Sequence, residues 1–166
     1  MQDNQKQTHW SYIAGIMDAD GCFMIIKQTR GHEIKKLGHN FSPSYMPALK
    51  IAMIEFEAID FIMNEMQFGA YNLDGARKDR KNSKPIYHWY LRQRQQVAEF
   101  LENVIPHLRV KKNRAEHLLE FVRRMEKYTD KRFCKRVTPS ELDYREQAYR
   151  KMREFNGNKV AATTKP

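Results

Sequence analysis

The chain has 166 residues, 41% of them hydrophobic, which suffices for one domain with a sizeable core. Thirty Lys and Arg against twenty Asp and Glu leave a net charge of +10, so the expected partner is a polyanion, nucleic acid first and a membrane surface second. No apolar run approaches the roughly 20 residues of a spanning helix, residues 1–8 are polar without a signal-peptide core, and Cys22 and Cys134 make neither a disulfide framework nor a zinc site; a membrane or secreted protein is set aside for one working in a reducing, intracellular compartment.

Thr8 is the expected N-cap of a first helix that runs to about Ala19 and stops at Asp20-Gly21. Residues 12–23 read Tyr-Ile-Ala-Gly-Ile-Met-Asp-Ala-Asp-Gly-Cys-Phe, an apolar helix with small residues that ends in two acids. Gly15 and Ala19 share a face on which a second backbone can approach, while Ile13, Ile16 and Met17 look elsewhere. Gly15 costs about 1 kcal/mol of helix propensity relative to Ala. Asp18 and Asp20 place carboxylates at the negative end of the helix dipole, unfavourable by a few tenths to about 1 kcal/mol unless a cation or donor answers them. Such a broken local rule tends to mark a functional site. A calcium loop would need oxygen ligands at alternate positions, whereas residues 22–26 are apolar.

Residues 22–30 form a strand whose first half is apolar on both faces, so its inward side stays ambiguous until Gln28 and Arg30 declare a polar one. Residues 31–44 read as a long connection, and connections of that size are often functional. In the next strand Tyr45, Pro47, Leu49, Ile51 and Met53 form one apolar face, opposite Ala48, Lys50 and Ala52. Phe56, Ile59, Met63 and Met66 recur at helical spacing, a core stripe. Residues 68–76 and 86–92 flank a basic, turn-rich tip and make a hairpin, with Tyr87, Trp89 and Leu91 inward and His88, Tyr90 and Arg92 outward. Two amphipathic helices follow, around Val97, Phe100, Leu101 and Val104 and around Ala115, Leu118, Leu119, Val122 and Met125, with Arg109, Lys111, Lys112 and Arg114 between them. Thr138-Pro139-Ser140-Glu141 is a capping box opening a last helix, and residues 156–166 read as a frayed tail.

Residues 13–21, Ile-Ala-Gly-Ile-Met-Asp-Ala-Asp-Gly, resemble the signature of the LAGLIDADG homing endonucleases, with three apolar-for-apolar exchanges and both acids intact. The order of elements over about residues 8–126 resembles that family's αββαββα core. The resemblance implies an α+β fold with a curved four-stranded antiparallel sheet that saddles DNA, followed here by a helical extension over about 138–155. One signature helix and no internal repeat imply a homodimer, with Ile13, Gly15, Ile16, Asp18 and Ala19 at its interface. Two sheets side by side then read a pseudo-palindromic duplex of roughly two helical turns, about 20 base pairs. An intron-encoded enzyme of an organelle, a bacterium or a phage-infected cell is implied as well.

Phosphodiester hydrolysis needs a nucleophilic water, charge stabilisation and an activated leaving oxygen, which hard divalent cations supply. The resemblance implies Mg²⁺, with Mn²⁺ substituting and Ca²⁺ binding without cleavage. It places the metal-binding acid at Asp20, with Gly21 beside it, and makes Asp18 a helix-end hydrogen-bonding residue. Glu55 matches the solvent-orienting acid and Lys111 the lysine near the scissile phosphate, with Lys112 and Arg109 as rivals. Relatives often carry a further cation at the start of the next helix, but residues 57–60 are Glu-Ala-Ile-Asp. Base reading falls to Gln28, Arg30, Lys50, Asn72, His88, Tyr90 and Arg92, joined on DNA by His32 and Lys112, with Arg77, Lys78, Arg80 and Lys81 holding phosphates. Lys127, Lys131, Arg132, Lys135 and Arg136 are expected to hold backbone. The alternative is an intron RNA maturase or a non-cleaving DNA-binding regulator on the same scaffold.

Overall fold

A computed structural model describes residues 2–29, 42–75, 84–128 and 137–157. The first helix, α1 (Gln2–Ala19), begins well before Thr8, which lies inside it rather than capping it. The preceding residues hold no Gly or Pro, and Gln and Lys are good helix formers, so nothing stops the helix from propagating backward. At the other end the Asp20 N–H donates to the Ile16 carbonyl at 2.8 Å. The chain then passes directly into β1 (Gly21–Gln28). Only glycine permits this, because a Cβ on residue 21 would lie 2.6 Å from the Met17 Cα.

The remaining elements are β2 (Ser44–Met53), α2 (Phe56–Met66), β3 (Ala70–Asp74), β4 (Ile86–Leu91), α3 (Arg94–Val104), a 3₁₀ turn (Ile105–His107), α4 (Lys112–Tyr128) and α5 (Pro139–Phe155). The four strands form one antiparallel sheet in the order β1-β2-β4-β3. Its inner face carries the alternation read in the sequence: Phe23, Ile25, Tyr45, Leu49, Ile51, Trp89 and Leu91 are buried. Against them pack Ile13 and Met17 of α1, Ile59 and Ile62 of α2, Phe100 and Leu101 of α3, and Leu118, Phe121 and Val122 of α4. Each helix contributes the stripe that its 3.6-residue period predicts. None of the helices among the described residues is long and apolar enough to cross a membrane.

The C-terminal helix is part of this core, since Ala148 and Met152 belong to the same buried cluster. Thr138 caps α5 by accepting the Glu141 N–H at 3.3 Å, as the sequence predicts. The Glu141 side chain turns elsewhere. Only 1% exposed, it accepts from Arg124 at 3.1 Å and Arg145 at 2.8 Å, because a buried carboxylate needs cations. Further along, Glu146 accepts from Lys27 of β1 at 2.7 Å, Tyr45 of β2 at 2.6 Å and Arg150 at 3.0 Å. Asn156, expected in the frayed tail, donates to the Phe23 carbonyl at 2.9 Å and so covers part of the edge of β1. The long connection with Arg30 and His32, the hairpin tip with Arg77, Lys78, Arg80 and Lys81, the basic residues 129–136 and the tail 158–166 lie outside the described residues.

Candidate active site

The negative end of α1 is answered twice. The half-buried Asp18 carboxylate accepts three backbone N–H groups from the stretch before α4: Arg109 at 2.8 Å and Val110 at 3.2 Å on Oδ2, and Lys111 at 2.8 Å on Oδ1. Burial alone would raise the Asp18 pKa, but these donors and the Lys111 charge overcome it and hold the carboxyl below its ordinary value. The Lys111 ammonium itself donates to the carbonyls of Met17 at 3.1 Å, Ala19 at 3.0 Å and Gly21 at 2.8 Å. An ammonium has three N–H donors, and all three are used. A cation thus caps the helix exactly where the dipole demands one. Desolvation, with Arg114 beside it, lowers the Lys111 pKa, while Cys22, Asp18 and Asp20 oppose the shift.

Asp20 stands exposed one residue beyond the helix. Gly21 pairs with Ile51, and β2 then runs on through Met53 toward Glu55, so Asp20 and Glu55 lie at the same end of the sheet. Glu55 is exposed and makes no side-chain cap to α2, whose first residue it precedes. Asp20, Glu55 and the Lys111 cap are therefore brought to one end of the molecule. Cys22 and Arg114 also lie there, neither singled out by the sequence reading; burial raises the Cys22 thiol while Lys111, Arg114 and Lys50 pull it down. Among the described residues no three His, Cys, Asp or Glu side chains converge into a metal cage.

The expected dimer contacts divide into two groups. Ile13 is fully buried and Ile16 is 8% exposed in the protomer's own core, and the half-buried Asp18 is hydrogen-bonded to residues 109–111 of the same protomer. Helical spacing turns positions 13 and 17 inward and leaves Gly15 and Ala19 exposed, next to Tyr12.

On the outer face of the sheet, register sets Lys50 between Cys22 and Tyr90, and sets His88 between Ala52 and Asn72. Lys50 Nζ and the Arg92 guanidinium lie 5.3 and 5.4 Å from the centre of the Tyr90 ring, so two cations share one aromatic. His88 differs from the expected open base reader. It is only 8% exposed, and its Nε2 bonds Asp74 Oδ2 at 2.9 Å. Period-two alternation along β3 places Asp74 on the same side as Asn72, a signal present in the sequence and overlooked. Gln28 and Asn72 are exposed in their strands, and Lys112 is exposed at the start of α4.

No protein-family model matches the chain, and no curated protein matches its sequence. In fold it is similar to the homing endonuclease I-CvuI, solved in complex with the I-CreI target in the presence of Mg, with a TM-score of 0.68 and 16% identity over 98% of this chain and 88% of that one. It is similar also to the archaeal intron-encoded homing endonuclease I-Vdi141I complexed with DNA, with a TM-score of 0.66 and 12% identity over 100% and 91%. For the I-SmaMI LAGLIDADG homing endonuclease bound to cleaved DNA, the TM-score is 0.63 at 12% identity, over 88% of this chain but 44% of the other. The chain has the fold of the LAGLIDADG homing endonucleases.

Proposed function

We propose that this chain is a sequence-specific DNA endonuclease of the homing type that cleaves a long pseudo-palindromic duplex as a homodimer using Mg²⁺. The observation that carries the reading is the placement of Asp20. Its exposed carboxylate stands one residue past an exposed small-residue face, so two α1 helices packed through Gly15 and Ala19 about a twofold axis would bring two Asp20 side chains together. Mg²⁺ is commonly held by one or two carboxylates together with substrate phosphates and water, so a pair of aspartates fits it without a protein cage. Asp20 would hold the metal with the carbonyl of Gly21 nearby, although that carbonyl already accepts from Lys111. When bound, the ion polarises the scissile phosphate and lowers the pKa of water.

The chain's own groups do the rest. Glu55 orients the attacking water from the same end of the sheet. Lys111, its three donors committed to carbonyls, fixes the turn that carries Asp20 and adds positive potential at the phosphate rather than a direct hydrogen bond. Arg109 and Lys112 are exposed beside it and take the direct phosphate contact. The outer sheet face and the net charge of +10 supply duplex binding. Mn²⁺ should substitute for Mg²⁺, and Ca²⁺ should support binding without cleavage.

The test is selection from a randomised duplex library, scored for cleavage in Mg²⁺ and for retention in Ca²⁺. Recovery of one palindrome-like family, cut only in Mg²⁺ or Mn²⁺, is expected. Retention of a site that is never cut would overturn the nuclease in favour of a non-cleaving regulator. Retention of no duplex at all would overturn both.

A further inference from the structure

An antiparallel sheet with one face on the core ordinarily turns polar residues to solvent on the other. On β1 and β2 this chain does not. The outward pairs run Cys22 with Lys50, Met24 with Ala48, Ile26 with Met46, and Gln28 with Ser44, so two apolar pairs stand between two rows that carry polar groups. Met24, Ile26 and Met46 are half-buried by their neighbours yet stand outside the hydrophobic core cluster, while Ala48 among them is fully buried, so three side chains make up the accessible apolar surface. An apolar patch rimmed by polar and cationic groups marks an interaction surface. Its setting in a chain of net charge +10, with Lys50 in the adjoining row and Tyr90 and Arg92 beyond it, fits a polyanion better than an apolar protein partner.

On the nuclease reading given above, this face lies in the major groove of DNA. The groove offers one apolar feature, the 5-methyl group of thymine. Outward positions on a strand are about 6.7 Å apart, twice the strand rise. That is about two base-pair steps of roughly 3.4 Å each. We infer that Met24, in one row, and Ile26 with Met46, in the next, read thymine methyl groups, so that each half-site carries thymines within a run of about four base pairs. The row at the Asp20 end, with Lys50, and the row at the far end, with Gln28, read the flanking pairs through hydrogen bonds. Specificity in this stretch then rests on the methyl groups more than on donors and acceptors.

The experiment uses the intact protein and a duplex recovered by selection. Each thymine of the recovered half-site is replaced in turn by deoxyuridine, which removes the methyl group and leaves pairing and groove hydrogen bonding unchanged. Binding is measured in Ca²⁺. Burial of one methyl group corresponds to about a fourfold change in affinity, so each thymine facing Met24, Ile26 or Met46 should lose about that factor when demethylated. Thymines elsewhere in the site should lose less. In the double variant Met24→Gln/Ile26→Gln, checked for an unchanged melting temperature, the deoxyuridine penalty should vanish and the preferred bases should shift. Tight binding to a selected site that is indifferent to demethylation, or a site without thymine in this stretch, overturns the inference and leaves the nuclease reading standing. Failure to retain any duplex brings down the nuclease reading itself.

Discussion

Three charged residues gathered in space at the end of α1 illustrate how differently neighbouring charges can be employed. Asp18 and Lys111 are consumed by the fold, each satisfying groups that helix termination leaves unpaired, whereas Asp20 is exposed. Substitutions should therefore separate them. Asp20→Asn keeps size and hydrogen-bonding capacity but removes the charge that a hard cation requires. Its stability should stay within about 0.5 kcal/mol of the parent, as for an exposed site. Cleavage should fall by several orders of magnitude while duplex binding in EDTA or Ca²⁺ holds or improves. Gel shift and cleavage of one selected site on the same preparation decide this, and cleavage at a tenth or more of the parental rate would remove Asp20 from the metal site. Lys111→Met should instead cost roughly 1 to 3 kcal/mol, because three carbonyls at the end of α1 lose a charged donor. For a chain of this size that amounts to several degrees in melting temperature, with slowed cleavage alongside. An unchanged melting temperature would show that the cap is not a stabilising element.

The docking of α5 belongs to the scale of elements, and so does its pH dependence. Glu146 joins α5 to both β1 and β2 through Lys27 and Tyr45. Burial would raise its pKa, yet the donors Lys27, Tyr45 and Arg150 pull it down to about 2. A carboxyl depressed in the folded state contributes stability that is fully present above its unfolded value, about 4.3, and is lost as pH falls toward the folded value of about 2. Asp18, lowered too, acts in the same direction. Chemical denaturation between pH 6 and 2.5 should thus show falling stability, and Glu146→Gln, itself weaker by roughly 1 to 2 kcal/mol at pH 6, should show a shallower fall. Parallel curves for parent and variant would count against the network. The ties of Glu146 to the sheet were not legible in the sequence, since Lys27 and Glu146 lie 119 positions apart and no local pattern links them. What was legible followed from periodicity: the strands and core helices are where alternation and the 3.6-residue stripe put them, and Thr138-Pro139 marks the start of α5. The start of α1 was missed because a polar helical turn has no apolar period to betray it. The two-faced apolarity of β1 read as an ambiguity, yet it reports that the outer surface is apolar as well. The nine-residue signature singled out Asp20 as the candidate metal ligand, but it could not tell which of its apolar residues face the protomer's own core.

At the scale of the whole molecule, charge and symmetry set the expectations. If each dimer neutralises about 6 to 10 phosphates, duplex affinity should fall about 10³ to 10⁵-fold between 50 and 200 mM salt, and a flat response in a filter-binding titration would point to a different ligand. Symmetry is tested at Gly15. An ideal Cβ there meets nothing within 4 Å in the protomer, so the fold itself has no need of glycine at this position. A glycine inside a helix costs about 1 kcal/mol relative to alanine, and retaining it where the protomer offers open space is explained if another backbone occupies that space. Gly15→Leu is therefore expected to leave a folded protomer, with an unchanged circular dichroism spectrum, that no longer associates. Sedimentation should show the parent as a dimer at micromolar concentration and the variant as a monomer. Cleavage should disappear with association, because one protomer brings only one Asp20 to the phosphates, while weak, salt-sensitive binding to a half-site survives. A parent that sediments as a monomer, or a Gly15→Leu variant that remains a dimer and cuts, would remove α1 from the twofold axis.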